Sequence, residues 1–225
     1  MKKLFIVLIL TFSCLFSGVL GGCNKKPEGL SRYVSELRCE LYEGVSENYT
    51  LKASYGYKEI DYVNDGKVGA VSSTLIFRLE NKALEETTYT LCFEHNGKTY
   101  EGRFELSNTD NALILIINIE DFSEKSFTVS LGTLEQKEEV CLNSIIPQGT
   151  MTSEQALESL CKTQKEMVDS YYNEQGEFGA EIYLRVMVKK DKAYWYVGFA
   201  SGNGKLKAFL LDGASGDVLA IREVF

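Results

Sequence analysis

The chain has 225 residues, 44% of them hydrophobic and 25% charged; 32 acidic against 24 basic residues give a formal net charge of -8. This is the composition of one or two ordinary globular domains, and it excludes a nucleic-acid binder that works through clustered Lys and Arg. His95 is the single histidine, which excludes a two-histidine zinc site, an H-E-x-x-H protease and a multi-histidine iron centre within one chain. No metal and no cofactor is expected.

In chain order, Lys2 and Lys3 precede an apolar run from Leu4 to Phe16. The run falls short of the roughly 20 residues that a membrane-spanning helix needs, and residues 1–22 read as a secretory signal. Its end, Leu20-Gly21-Gly22-Cys23, resembles the lipobox of bacterial lipoproteins. The resemblance implies cleavage between Gly22 and Cys23, a diacylglycerol on the Cys23 thiol, and an extracytoplasmic protein held on the outer face of the cell membrane, or on an outer membrane if there is one. Loss of Lys2 and Lys3 with the signal takes the net charge from -8 to -10. Residues 23–30, with the polar, turn-rich stretch Asn24-Lys25-Lys26-Pro27-Glu28-Gly29, read as a lipidated tether.

Of six cysteines, Cys14 leaves with the signal and Cys23 carries lipid. Cys39, Cys92, Cys141 and Cys161 permit disulfides in three pairings. Each also sits at a core-facing phase of a strand or helix pattern, where a free thiol behaves as a small hydrophobe.

Residues 31–147 read as an all-β sandwich of about eight antiparallel strands. Leu37, Cys39 and Leu41 alternate with Glu36, Arg38 and Glu40, and Tyr49 to Tyr57 alternate over nine positions, the period-two pattern of half-buried strands. Tyr89 to Leu106 is split by Asn96-Gly97, a type I′ hairpin signal. A two-residue loop there pairs His95 with Lys98, Phe93 with Tyr100 and Leu91 with Gly102, so that the large residues share one face. Further strands are predicted over Ser73–Leu79, Leu113–Ile119, Phe127–Leu131 and Glu138–Ile145. Asn64-Asp65-Gly66-Lys67-Val68-Gly69 is a turn without the alternating oxygens of a calcium loop.

Pro147-Gln148-Gly149 marks a boundary, and residues 150–225 read as a small α+β domain, one helix packed on a three- or four-stranded antiparallel sheet. Thr152-Ser153-Glu154-Gln155 has capping-box form. Apolar residues from Ala156 to Tyr172 then follow helical spacing, interrupted at Gln164 and ending near Gly176. Strands are predicted over Ala180–Lys189, Ala193–Ser201, Lys205–Leu211 and Asp217–Val224.

This segment resembles a PepSY domain. The matching residues are Ser153-Glu154-Gln155-Ala156-Leu157 at the helix start, Tyr194-Trp195-Tyr196-Val197 in a strand, and Leu211-Asp212-Gly213-Ala214-Ser215-Gly216-Asp217-Val218-Leu219 at the final turn. The resemblance implies an extracytoplasmic protein that holds or modulates peptidases. The β-domain carries no family pattern.

The chemistry is mostly negative. Ser159-Leu160-Cys161-Lys162 has S-x-x-K spacing without the S-D-N and K-T-G segments of penicillin-recognising enzymes. Ser201-Gly202-Asn203-Gly204-Lys205 lies between strands and lacks the hydroxyl residue that closes a phosphate loop. Glu138-Glu139 reads as a solvated strand edge, His95 as an exposed residue beside its turn, and Trp195 as sheet core or platform. No catalytic residue is assigned and the chain is not expected to be an enzyme. The expected function is that of a membrane-anchored surface lipoprotein binding or modulating an extracytoplasmic protein such as a peptidase. The alternative is a ligand- or cell-wall-glycan-binding surface module that draws on the 13 Tyr, 12 Phe and one Trp.

Overall fold

The computed structural model describes residues 29–60, 67–81, 88–107, 112–202 and 204–224. The predicted signal, Gly22, Cys23, the tether before Gly29 and the Asn64-Asp65-Gly66 turn lie outside the described residues.

A short 3-10 turn, Leu30–Tyr33, leads into nine strands: β1 Val34–Val45, β2 Tyr49–Glu59, β3 Val71–Asn81, β4 Thr90–His95, β5 Lys98–Arg103, β6 Glu105–Leu106, β7 Leu113–Asn118, β8 Ser126–Gly132 and β9 Lys137–Ser144. Helices α1, Ser153–Thr163, and α2, Lys165–Asp169, precede β10 Ala180–Lys189, β11 Lys192–Ser201, β12 Leu206–Asp212 and β13 Val218–Val224.

Local chemistry places several of these elements. Asn96 and Gly97 have φ of 50° and 71°, the left-handed pair that a type I′ turn requires. The register follows from that turn: His95 pairs with Lys98, Phe93 with Tyr100 and Leu91 with Gly102. Phe93 stacks on Tyr100 at 5.3 Å, and the space beside Gly102 is taken by Leu115 of β7. At α1, Thr152 Oγ1 accepts from the Gln155 backbone N–H while the Thr152 N–H donates to Gln155 Oε1, the reciprocal cap its sequence encodes. The helix predicted to run to about Gly176 is instead broken at Gln164, whose φ of -119° and ψ of 35° leave the helical region. A polar residue in the buried stripe gives the second turn nothing to bury there.

The sandwich followed by a separate α+β domain is corrected by the pairing. All thirteen strands belong to one sheet. Along one edge β1 pairs with β2 over most of its length. Its other edge takes two neighbours in succession, β10 in parallel over Val34–Arg38 and β9 in antiparallel at Tyr42 and Glu43. From β1 the sheet curls through β2, β3 and β7 to β6, which continues β5 past Phe104, and through β4, β8 and β9 back to β1. The result is a nearly closed barrel rather than two stacked sheets. From the first half of β1 the same sheet runs out as β10, β11, β12 and β13.

Two hydrophobic clusters fill this architecture. The barrel interior holds Leu75, Phe77, Phe93, Phe122, Leu131 and Leu142 among others, with Tyr42 packed edge-on against Phe122 and Phe127 and its hydroxyl donating to the Glu124 carbonyl at 2.7 Å. The second cluster lies between the helices and β10–β12 and holds Ala156, Leu157, Leu160, Trp195, Phe199 and Phe209. Burying such a side chain stabilises by roughly 1.5–3 kcal/mol. β1 serves both: Tyr42 belongs to the barrel, whereas Val34, Leu37, Cys39 and Leu41 pack with the helical side. The strand turns between its two duties at a bulge between Arg38 and Glu40. Opposite it stands Gly56, where a Cβ would lie 1.8 Å from the Leu37 carbonyl oxygen.

Candidate interaction surface

Strands β10–β13 present two faces. Side chains alternate, so Ile182, Leu184 and Val186 of β10, Trp195, Val197 and Phe199 of β11, and Phe209 and Leu211 of β12 point to the buried helical side. The residues between them form the opposite, open face. Its cross-strand rows are long. One runs from Thr74 through Gly56, Arg38, Arg185, Tyr196 and Leu210 to Ala220. The next passes from Glu36 through Tyr183, Gly198 and Ala208 to Arg222.

Charge gathers where this face crosses the β1–β10 junction. Arg185 Nη2 donates to Glu36 Oε2 at 2.9 Å and Arg38 Nε stands 3.5 Å from Glu36 Oε1. The Arg38 guanidinium also donates to Thr74 Oγ1 at 2.8 Å. Burial lowers the Arg38 pKa, and the adjacent Glu36 carboxylate opposes the shift. Beyond the charges the face becomes aromatic and then small. Tyr183, Tyr194 and Tyr196 are half-buried, and the Tyr196 ring lies over Gly198 together with Leu206. The face ends at Ala220 and Arg222 of β13, the terminal strand in the sheet order, and on the same strand Leu219 and Ile221 are each 52% exposed.

The final turn is built on Asp212. Its Oδ1 accepts from the Ala214 and Ser215 N–H groups at 2.9 and 3.0 Å, which holds the carboxyl below its usual pKa. The Gly213 carbonyl accepts from the Met151 N–H at 2.8 Å, and the Met151 carbonyl accepts from Trp195 Nε1 at 3.0 Å. Gly216, at φ 77°, leaves room for Ser159, whose hydroxyl donates to the Gly216 carbonyl at 3.2 Å. Met151 and Ser159, which flank the helix start on either side, thus tie it to β11 and the final turn, and Trp195 is core. Ser159 is committed to packing while Lys162 extends into solvent beside Glu158, so the S-x-x-K spacing brings no nucleophile and base together.

Other singled-out residues lie apart from this face. His95 is buried, against the expectation of exposure: its ring sits 4.9 Å from Phe122, Nδ1 is 3.5 Å from Glu124 Oε1 and Nε2 is 3.0 Å from Asn96 Nδ2. It borders a cleft of about 1000 Å³ shared with Tyr100, Asn118 and Asp121. Glu139 is exposed and Glu138 half-buried. Cys39, Cys92, Cys141 and Cys161 are free thiols. Cys39 and Cys161 pack against the helical cluster, and burial pushes both up to about 11, which keeps them protonated and poor nucleophiles at neutral pH. Cys141 faces solvent, contrary to the core-facing phase read from its strand. Among the described residues no group of three or more His, Cys, Asp or Glu is placed to hold a metal ion, and no helix is long and apolar enough to cross a membrane.

The open face and its free edge were missed in the sequence because alternation marks two faces without saying which one the helices cover. Comparison with protein-family models, with the curated proteins and with the solved structures finds no match to this chain.

Proposed function

We propose that this chain is a membrane-anchored surface lipoprotein, without catalysis of its own, that binds or modulates an extracytoplasmic protein such as a peptidase. The observation that carries the reading is the end of the sheet: among the described residues no strand pairs with the outer edge of β13, which exposes Leu219 and Ile221, side chains of the kind that mark interaction sites when they lie together at a surface. The PepSY resemblance of residues 150–225 supplies the class of partner, and the lipobox resemblance at Cys23 supplies the location.

A second reading, a ligand- or glycan-binding module, is favoured by the half-buried Tyr183, Tyr194 and Tyr196 on the open face. Affinity capture from the native cell envelope, with the full chain as bait, separates the two. Recovery of a peptidase or wall hydrolase supports the first reading. Repeated recovery of glycan alone replaces it with the second.

A further inference from the structure

We infer that β13 takes up an extended segment of the partner as an added strand, and that this segment alternates apolar with acidic residues. The inference rests on the reading of the chain as a protein-binding lipoprotein and names the chemistry of what it binds.

The backbone comes first. Strand β13 is bonded to β12 along one edge, and among the described residues no strand pairs with its other edge. Such an edge presents a row of unpaired N–H and C=O groups, and proteins ordinarily block it with Pro, Lys, an inward charge or a covering segment. Val218-Leu219-Ala220-Ile221-Arg222-Glu223-Val224 contains no Pro and no Lys. Its one acid, Glu223, is paired with Lys207 of the neighbouring strand at 2.6 Å. An open edge of this kind accepts an extended peptide through main-chain bonds, while alternate side chains set the specificity.

The side chains then define the occupant. Ile221 lies opposite Phe209 and shares its face, but Phe209 is fully buried whereas Ile221 is half exposed. The apolar layer thus continues past the last covered strand, and an apolar side chain from an added strand would extend it. On the open face Arg222 lies opposite Ala208, with Ala220 two residues before it. These small neighbours leave the guanidinium room, and among the described residues no carboxylate pairs with it. An acidic side chain at the facing position of the added strand supplies the missing charge.

A second copy of the chain does not meet this need. Two β13 strands related by a two-fold axis normal to the sheet keep each residue on its own face, so paired positions differ by an even number. Along the regular part of the strand Arg222 then meets Ala220 or another Arg222, but never Glu223, which lies on the other face. The occupant is therefore a segment of a different protein.

The probe is a fluorescein-labelled, end-blocked heptapeptide of alternating Val and Glu, titrated by anisotropy onto the full-length protein. Binding is expected, and N-methylation of alternate backbone amides should abolish it in one of the two phases only. Arg222→Glu should weaken binding by about tenfold or more and transfer preference to a matching heptapeptide of alternating Val and Lys. Ile221→Lys should also weaken it, with circular dichroism confirming that both variants fold. Equal binding by both N-methylated phases, indifference to Arg222→Glu, or no binding at all overturns the inference. So does a concentration-dependent dimer in sedimentation that Ile221→Lys dissolves. If envelope capture recovers a peptidase equally with wild-type protein and with both variants, the functional reading stands and strand addition at β13 fails. A responsive peptide without any captured protein gives the reverse result.

Discussion

Arg185 and Glu36 meet at 2.9 Å across the parallel pairing of β1 with β10, and the same carboxylate faces Arg38 from its other oxygen. The two arginines are not equivalent. Arg38 keeps about 10% of its side chain in solvent and Arg185 keeps about half. Removing the shared carboxylate strands a buried guanidinium, whereas removing Arg185 leaves Glu36 with Arg38. Glu36→Gln is therefore expected to cost about 2–4 kcal/mol and Arg185→Gln less than about 1 kcal/mol, measured by urea unfolding. Equal costs would show that the junction does not depend on neutralising Arg38.

A second expectation concerns the bulge. The Cβ of Gly56→Ala would stand 1.8 Å from the Leu37 carbonyl oxygen and 2.9 Å from the Arg38 Cα. These contacts are with backbone, and no rotamer change relieves them. The bulge is where β1 passes from the helical cluster to the barrel, so the substitution should lower stability by about 3 kcal/mol or more. Gly97→Ala is the control: its Cβ meets nothing, and only the positive φ is strained, at roughly 1–2 kcal/mol. Thermal unfolding of the pair tests the ordering.

Those two positions show what the sequence carried. Asn96-Gly97, the Thr152 cap and the alternation of single strands are short-range features, each fixed by the φ, donor and acceptor needs of a few residues, and they were legible. The pairing of Val34 with Ile182 was not, because alternation states which side chains share a face and is silent about which strand lies beside them. The sandwich expectation failed for the same reason: strands that close a barrel alternate as strands of stacked sheets do. His95 was misplaced because its cover, Phe122, comes from the segment after β7 rather than from its own hairpin. The open face was legible as the alternate positions Tyr194 and Tyr196, but only the helix position tells that Trp195 is the buried one.

Stability should depend on pH through two carboxyls of opposite sign. Burial raises the Glu40 pKa above its ordinary value, so its favourable contribution is complete below the unfolded value and is lost as pH rises through the higher folded one. Glu40→Gln should therefore stabilise at pH 7 by less than about 1 kcal/mol, since much of the group remains in water, and the gain should vanish below about pH 4. Asp212 is held low by the Ser215 and Ala214 N–H groups. Its contribution is present above the unfolded value and is lost as pH falls through the folded one. Asp212→Asn should lower stability in the neutral region and flatten the fall toward acid, so that variant and wild type converge below the folded value. Unfolding of both variants from pH 3 to pH 8 checks the signs, and a Glu40→Gln gain that grows toward acid would reverse the assignment.

The anchor makes the last prediction. One acyl chain holds a protein to a bilayer only marginally, whereas two give stable attachment at about 0.8 kcal/mol per buried methylene. Under the lipobox reading every one of those methylenes is attached through Cys23, and no described helix offers a second way to span the membrane. Cys23→Ala should therefore move the protein from the membrane pellet to the soluble fraction and out of the detergent phase in partitioning, while Cys161→Ala, in the folded body, should leave it membrane-bound. The chain between Cys23 and Gly29 spans at most about 20 Å when extended, so the wild-type body should also stay close to the bilayer, within energy-transfer range of a headgroup dye. Retention of Cys23→Ala in washed membranes would show that something other than lipid on this cysteine holds the protein there.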